Sequence, residues 1–215
     1  RNIQTGFFGY VCFWLQIQLE NLAVAHRMAE KLRHRGPDSW GEWVGEHAVF
    51  AHSRLAVIDV ENGLQPMKRT VEGHEFVITY NGELYNTNDI RNDLKSHGYE
   101  FTTASDTEVL LYAYIHYGEK CAEMLNGIYA FVIWDSRKKR LFAARDFFGI
   151  KPFYYSVVDG HFVFASEIKS ILCFPGGKKE VNEKAMELYL AFQYSVLEET
   201  FFKGIYRLNP GHFLV

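Results

Sequence analysis

The segment FYYSVVDGHFVFAS (residues 153–166) predicts a β-hairpin. Its two aromatic-rich runs flank Asp159-Gly160, a pair of residues typical of the two-residue turns that join antiparallel strands. Just before it, IYAFVIWD (128–135) and LFAARD (141–146) are separated by the charged turn SRKKR. Because hairpins rather than strand–helix–strand units organise this half of the chain, we expect antiparallel sheets.

The first half alternates strand and helix patterns. GFFGYVCFW (6–14) has the composition of a buried strand, and three further segments predict one strand each: EWVGEHAVFAH (42–52), RLAVIDV (54–60) and HEFVITYNGELYN (74–86). Apolar residues at helical spacing from Leu19 to Leu32 predict a helix that ends at Gly36-Pro37. Two more helices are expected in the segments TNDIRNDLKSHG (87–98), with Thr87 as cap, and SDTEVLLYAYIHYG (105–118), with the capping-box pattern Ser105-x-x-Glu108.

Composition limits the classes of function. The chain has 215 residues, 48% of them apolar and 23% charged, which predicts a globular protein of one domain over residues 1–215. A formal net charge of −3 without a basic run argues against nucleic acid or an anionic membrane as partner. No apolar run reaches the roughly 18 residues of a membrane span.

The cysteines and the common motifs exclude further classes. Cys12, Cys121 and Cys173 are an odd number without a CxxC pair, which favours a reducing compartment, so we expect a cytoplasmic protein. The sequence has no phosphate-binding loop, no dinucleotide fingerprint and no metal-ligand spacing of histidines, so neither a cofactor nor a metal is expected in this chain.

Four polar clusters interrupt the apolar segments: HRGPDSWG (34–41), AHSRLAVID (51–59), YNGELYN (80–86) and SDTE (105–108). Each has an ordinary structural interpretation. The first would end a helix, and the third contains Asn81-Gly82, a strong hairpin-turn signal. Arg54 would form an ion pair with Asp59 or Asp38, and SDTE would be a helix cap.

Taken together, the clusters closely resemble the glutamine amidotransferase domain of asparagine synthetases, of the class II, N-terminal-nucleophile type. The resemblance covers nearly the whole chain and includes five further segments: GLQPM (63–67), LNGIYAFVIWD (125–135), LFAARDFFGIKPFYY (141–155), FASEIKSIL (164–172) and GIYRLNPGHFL (204–214). It implies an α+β fold, a four-layer αββα sandwich of two antiparallel sheets. It also implies that the strands of about 200–215 close this domain and lead to a synthetase domain.

The resemblance also implies an activity and roles for individual residues. The family hydrolyses the side-chain amide of glutamine, and on this basis Arg54 binds the substrate carboxylate, a task suited to a bidentate guanidinium. Asp106 then binds the substrate ammonium, with help from Glu83. Asn81 and the backbone N–H of Gly82 form the oxyanion hole, where we expect a glycine because the reacting oxygen leaves no room for a Cβ. The supporting residues are Arg35 and Asp38.

The nucleophile position departs from the family. There, an N-terminal cysteine precedes a Gly-x-x-Gly strand and its own α-amino group is the general base; here Thr5 precedes Gly6, and Arg1–Gln4 precede Thr5. Three explanations stay open. Residues 1–4 are a leader whose removal leaves an N-terminal threonine; the domain has lost glutaminase chemistry and is a structural or regulatory module; or the first residues are not the natural terminus.

Partners follow from the resemblance alone. They are glutamine and an ATP-pyrophosphatase synthetase domain, on the same chain or on a separate one, which would bind the ATP and Mg²⁺ that this chain does not need. The family also allows a homodimer.

Overall fold

A computed structural model of the chain describes residues 5–12, 20–55, 59, 61–195 and 197–215. Its strands are β1 (Gly6–Cys12), β2 (Ser39–Val44), β3 (Ala48–Arg54), β4 (Met67–Val71), β5 (His74–Leu84), β6 (Gly127–Asp135), β7 (Arg140–Arg145), β8 (Tyr154–Val158), β9 (His161–Ala165), β10 (Ile205–Arg207) and β11 (Phe213–Leu214). Its helices are α1 (Glu20–Glu30), α2 (Thr87–Ser96), α3 (Asp106–Tyr117), α4 (Cys121–Met124), α5 (Ile168–Ile171) and α6 (Glu183–Phe192).

The strands form two sheets in which every neighbouring pair is antiparallel. The first sheet has the order β10-β8-β9-β1-β3-β2, and the second has the order β11-β7-β6-β5-β4. β1 lies in the middle of the first sheet, hydrogen-bonded to β3 on one side and to β9 on the other. Thr5, which directly precedes β1, therefore lies at the end of a central strand of this sheet.

Three apolar clusters divide the molecule into four layers. One lies between the sheets and contains Phe7 and Phe50 of the first sheet with Val132 of the second. A second joins the outer face of the first sheet to α1 and α5, and a third joins the outer face of the second sheet to α2 and α3. Helices thus cover both outer faces, which confirms the αββα sandwich. No helix in the described part of the chain is long and apolar enough to cross a membrane.

Gly9 is required by the two strands that flank β1 in the first sheet. A Cβ atom on this residue would lie 2.5 Å from ring atom Cζ of Phe164 and 2.6 Å from the carbonyl oxygen of Val49. Real carbon contacts are never this short, so any larger residue would push β1 away from its neighbours. Gly9 is therefore a packing glycine, whose space is filled by a core phenylalanine.

The predicted hairpin is confirmed. β8 and β9 pair across Asp159-Gly160, whose φ angles of 47° and 78° are those of a turn with two left-handed residues. The predicted cap of α2 is one residue out, because Asn86 holds the cap position and Thr87 is the first helical residue. Leu19 lies outside the described residues.

One strand prediction is wrong. EWVGEHAVFAH is a hairpin rather than one strand, since β2 ends at Val44 and β3 begins at Ala48. In RLAVIDV, Arg54 ends β3 and Leu55 and Asp59 lie outside the strands, whereas residues 56–58 and 60 lie outside the described part. β4 was not predicted at all; it pairs with the first half of β5.

Candidate active site

Four of the predicted site residues line one cavity where β1 begins and β3 ends. They are Thr5, Arg54, Gly82 and Asp106, which come from four separate segments of the chain. The remaining lining residues are Leu55, Gly63, Gln65, Tyr80, Ser105 and Thr107. The fold therefore assembles one concave site from the polar clusters.

Thr5 is held in place through its backbone. The residue is only 6% exposed, and its carbonyl oxygen accepts a hydrogen bond of 3.1 Å from Nε of Arg35. Its hydroxyl oxygen Oγ1 is buried and has no hydrogen-bond partner among the described residues. Leaving a buried polar group without a hydrogen bond costs about 1–3 kcal/mol, so this oxygen is suited to contact a bound molecule.

Asn81 has the same property. It is fully buried, and neither Oδ1 nor Nδ2 of its side chain has a partner within the described residues. Asn81 pairs with Ala130 and Gly82 with Tyr129 in the ladder between β5 and β6, so the interpretation of Asn-Gly as a hairpin turn is wrong. Alternation along β5 places Asn81 on the same face as Val77, which packs between the sheets.

Gly82 has a different reason for being glycine from the one we expected. A Cβ here would lie 2.2 Å from the carbonyl oxygen of Ile128 and 2.8 Å from the ring of Tyr80. The neighbouring strand, not a reacting oxygen, therefore excludes a side chain. As expected, however, the backbone of residue 82 reaches the cavity without a side chain in front of it.

Asp106 is buried and doubly hydrogen-bonded. Its Oδ2 accepts from the hydroxyl of Tyr80 at 2.9 Å and from the amide of Leu84 at 3.2 Å. Burial raises the pKa of Asp106, although these hydrogen bonds lower it in part. Burial and the nearby Asp106 raise the pKa of Tyr80 well above its ordinary value, so Tyr80 remains a neutral donor that orients the carboxylate.

Arg54 lines the cavity and also lies near acidic groups. It is 5% exposed, and its guanidinium donates to the carbonyl oxygen of Asp59 at 2.8 Å. Burial lowers the pKa of Arg54, whereas the negative charges of Asp59 and Asp38 raise it. The amide of Asp38 also donates to the carbonyl oxygen of Arg54 at 3.1 Å. Arg54 thus presents a buried cation to the cavity while nearby acids stabilise its charge.

Four predicted residues are not among those that line the cavity: Arg35, Asp38, Asn81 and Glu83. Arg35 contacts the backbone of Thr5, and Asp38 contacts the backbone of Arg54. Glu83 is half-buried and follows Gly82 on the opposite face of β5. Burial and Arg35 lower the pKa of Lys151, and Asp146 and Glu83 raise it, so Glu83 acts electrostatically on the buried Lys151.

His52 is a buried residue near the site that the sequence did not reveal. Its Nδ1 lies 2.9 Å from Oγ1 of Thr79, and its Nε2 has no partner among the described residues. Burial and the nearby Arg54 lower the pKa of His52 to about 3, so the ring is neutral. Among the described residues, no group of three or more His, Cys, Asp or Glu side chains is arranged to bind a metal ion.

A family model described as "Glutamine amidotransferase domain" matches residues 5–215. The chain belongs to this family. Two relatives from Bacillus subtilis agree: "Asparagine synthetase [glutamine-hydrolyzing] 3" is 44% identical over 97% of the chain, and "Asparagine synthetase [glutamine-hydrolyzing] 1" is 42% identical over 86%. The chain spans 34% and 29% of the length of these two relatives, about a third.

Solved structures share the fold of this amidotransferase domain. Glutamine phosphoribosylpyrophosphate amidotransferase from B. subtilis superimposes with a TM-score of 0.64 over 77% of the chain and 42% of its own chain, at 23% identity. A structure described as the allosteric regulatory enzyme of purine biosynthesis gives 0.65 over 78% of the chain and 43% of its own, also at 23% identity. At this identity the likeness establishes the fold alone, in agreement with the predicted αββα sandwich.

Two lining residues of the amidotransferase site were missed although both stand in the quoted segments. The side chain of Gln65 in GLQPM brackets the backbone of Tyr80, accepting from its N–H at 2.6 Å and donating to its carbonyl oxygen at 2.9 Å. Tyr80 opens YNGELYN and fixes Asp106. In the sequence, Gln65 and Tyr80 look like ordinary polar surface residues. Their roles depend on contacts between separate segments, which the sequence alone does not show.

Glu108 organises the segment that leads into Asp106. The N-cap of α3 is confirmed, since the Ser105 side chain accepts from the amide of Thr107. The capping box is not formed, because the buried Glu108 carboxylate accepts instead from the amides and hydroxyls of Thr102 and Thr103 and pairs with Arg69 at 2.8 Å. Burial would raise the pKa of Glu108, but these hydrogen bonds outweigh it and lower the pKa to about 2.

We expect Glu108→Gln to lower the free energy of unfolding by about 3 kcal/mol at neutral pH. The folded-state pKa lies below its ordinary value of 4.5, so the stabilisation is complete above about 4.5 and is lost as the pH falls toward about 2. Urea unfolding of wild type and variant from pH 7 to pH 2.5 measures this, and the two curves should converge at the acid end. The exposed Glu123→Gln is the control. A difference independent of pH would contradict the assignment.

Proposed function

We propose that this domain hydrolyses the side-chain amide of glutamine to glutamate and ammonia. The observation that carries the proposal is the single cavity that Thr5, Arg54, Gly82 and Asp106 line together. A cation and a carboxylate in one pocket match the two charges of an α-amino acid, and the nucleophile position and the Gly82 amide lie on the same cavity.

Different residues bind the two charged groups of glutamine. The buried guanidinium of Arg54 binds the α-carboxylate of glutamine, and the carboxylate of Asp106, oriented by Tyr80, binds the α-ammonium. Glu83 supports the amino-acid end, and Arg35 and Asp38 brace Thr5 and Arg54 from behind. The side-chain amide then points toward residue 5.

The chemistry is an acyl transfer in two steps. In a protein that begins at residue 5, the side-chain oxygen of Thr5, or the sulfur of a cysteine in its place, attacks the amide carbon, and its proton passes to the free α-amino group of that residue. The N–H of Gly82 and Nδ2 of Asn81 stabilise the oxyanion, ammonia leaves with the transferred proton, and water hydrolyses the resulting ester or thioester to glutamate. The Asn81 amide is buried without a partner in the described residues, as such a preorganised donor requires.

The destination of the ammonia is taken from the relatives. Their names describe glutamine-hydrolysing asparagine synthetases, and this chain spans about a third of their length. We therefore propose that the ammonia amidates aspartate in an ATP-dependent synthetase domain, on the same chain or a separate one, which would bind ATP and Mg²⁺. A cytoplasmic location belongs to the same proposal.

Ammonia release and glutamine binding test the proposal separately. We expect glutamine at about 100 times its Kd to stabilise the protein by about 2.7 kcal/mol in a thermal-shift assay. Binding without ammonia release, from a protein shown by mass spectrometry to begin at its natural first residue, would replace the enzyme by the alternative, a non-catalytic module. A protein that neither binds nor hydrolyses glutamine would overturn both.

Arg54→Ala is expected to weaken glutamine binding about 100-fold, because a buried, charge-assisted contact to the carboxylate is lost. Calorimetric titration with glutamine measures the change. Arg54→Lys, which keeps the charge and loses the second hydrogen bond, should weaken binding less. Arg140→Ala is the matched control, since Arg140 pairs with Glu119 on another part of the domain. Unchanged binding in Arg54→Ala would remove Arg54 from the substrate carboxylate.

A further inference from the structure

The backbone of residue 5 is held by Arg35, a residue that is not among those lining the cavity. Nε of Arg35 donates to the carbonyl oxygen of Thr5 at 3.1 Å, and Nη1 of the same guanidinium donates to Oε1 of Glu167 at 2.9 Å. Arg35 is only 14% exposed and Glu167 only 23%, so water competes weakly for this ion pair. A continuous chain of contacts thus runs from Glu167 through Arg35 to the backbone of residue 5.

Gly6 allows this arrangement. A Cβ on residue 6 would lie 3.1 Å from Cδ and 3.3 Å from Cβ of Arg35, so the arginine side chain rests directly on the glycine backbone. A larger residue would have to displace the arginine. The first glycine of TGFFG therefore leaves space for the side chains of Arg35 and Leu32.

Ser166, next to Glu167, holds the other end of the same segment. Its hydroxyl oxygen accepts from the N–H of Phe7 at 3.1 Å, and its own N–H donates to the carbonyl oxygen of Phe7 at 2.9 Å. Two consecutive residues after β9 thus fix Thr5 and Phe7, one directly and one through Arg35. The carboxylate of Glu167 thus holds residue 5 indirectly, through Arg35.

Glu167 has two further polar partners besides Arg35. Its Oε1 lies 3.0 Å from Nε2 of His34, and its Oε2 lies 2.8 Å from Nζ of Lys169. Burial would raise the pKa of Glu167, but the hydrogen bonds from Lys169, Arg35 and His34 lower it, so the carboxylate is ionised at neutral pH. A permanent negative charge is what keeps the guanidinium in place.

We propose that Glu167 is a positioning residue for glutamine hydrolysis: through Arg35 it fixes the backbone of residue 5 and hence the direction of attack on the amide. The inference rests on the proposed function. Since a displacement of about 1 Å at a reacting atom can reduce a rate about 100-fold, a loosened anchor affects catalysis more than binding.

The test uses the protein that begins at residue 5 and carries Thr5→Cys, so that the reacting thiol can be followed chemically. We expect Glu167→Gln to lower kcat for glutamine hydrolysis about 10-fold and to change KM less than 2-fold. Arg35→Lys should have a similar effect, because lysine cannot contact both residue 5 and Glu167. The double variant should be no slower than the slower single variant, since both changes break one chain of contacts.

Two controls separate this from a general loss of structure. Glu119→Gln removes a carboxylate that pairs with Arg140 elsewhere and should leave kcat unchanged. Lys169→Gln removes a partner of the other Glu167 oxygen without touching Arg35, and should lower kcat less than 2-fold. Additive effects of Glu167→Gln and Arg35→Lys, or an equal loss in Lys169→Gln, would overturn the proposal.

A second readout does not depend on glutamine turnover. Iodoacetamide alkylates the thiol of residue 5 wherever it points, whereas the glutamine-like diazoketone 6-diazo-5-oxo-L-norleucine requires alignment with the bound amino acid. Glu167→Gln should slow only the diazoketone, and hydrogen exchange at the amides of residues 6 and 7 should become faster. If the parent protein released no ammonia, the proposed function would fail, and unchanged exchange in Glu167→Gln would independently overturn the role of Glu167.

Discussion

Removing residues 1–4 and replacing Thr5 by cysteine is expected to raise the rate of glutamine hydrolysis at least about 10³-fold, relative to the chain that keeps residues 1–4 and Thr5. An internal Thr5 has an amide nitrogen in place of a basic amine, and a positioned general base contributes about 10²–10⁴-fold. A thiol is also partly ionised near neutral pH, whereas an alcohol is not. The site is otherwise formed, because residue 5 is buried and lines the cavity with Gly82.

Four proteins separate the two contributions: the chain with and without residues 1–4, each with Thr5 retained or with Thr5→Cys. Ammonia release is measured in a coupled assay, and intact mass confirms the first residue of each protein. Activity of the shortened protein with Thr5 retained would support a removable leader. Activity of the shortened Thr5→Cys variant alone would point to an unnatural terminus.

The shortened Thr5→Ala variant gives the background rate, because alanine has no nucleophilic atom. It keeps the backbone carbonyl of residue 5 that Arg35 binds, so the surrounding site stays as it is. A shortened Thr5→Cys variant that binds glutamine and stays at that background would contradict the proposed chemistry.

Asn81→Ala in the active background is expected to lower kcat about 10²–10³-fold with little change in KM. The amide of Asn81 would act on charge that develops only in the transition state, and loss of one oxyanion-hole donor has an effect of this size, about 3–4 kcal/mol. Stability should hardly change, because both polar atoms of the side chain lack partners in the described residues and no hydrogen bond is lost.

Asn182→Ala is the matched control with the opposite pattern. Its side chain caps α6 by accepting from the amide of Ala185 and also donates to Glu199. The variant should lose about 1 kcal/mol of stability and keep its kcat. Steady-state kinetics and urea unfolding on both variants give the comparison. An Asn81→Ala protein that is destabilised but fully active would show that Asn81 is structural.

The sequence predicted the elements whose signals are local. Asp159-Gly160 lies between two runs that pair with each other, and the turn forms as its residues predict. The same signal at Asn81-Gly82 failed because the runs on either side do not pair with each other. They continue as one strand against β6, whose carbonyl at Ile128 closes on Gly82. Local turn chemistry is overruled where a neighbouring strand supplies the hydrogen bonds.

Long-range contacts explain what sequence analysis could not find. Glu167 stands in a segment that looks like the start of a helix, and its partner Arg35 is 132 residues away. Glu108 satisfies the capping-box spacing, yet its carboxylate binds Thr102 and Thr103. In both cases the residue type was visible, whereas the partner depends on how the two sheets and the helices pack. Thr5, Arg54, Gly82 and Asp106 could be predicted only through the resemblance, since no local pattern joins them.

The close packing of Phe164 against Gly9 also fixes where the reacting residue lies. Sliding β1 by one residue would turn its interior side chains outward and drive a side chain into the ring. The register of β1 is therefore locked by the core, and residues 6–8 separate Gly9 from residue 5. The hydrophobic core thus fixes the position of residue 5 through the register of β1. Changes before residue 5 therefore alter the chemistry of this residue but leave its location fixed.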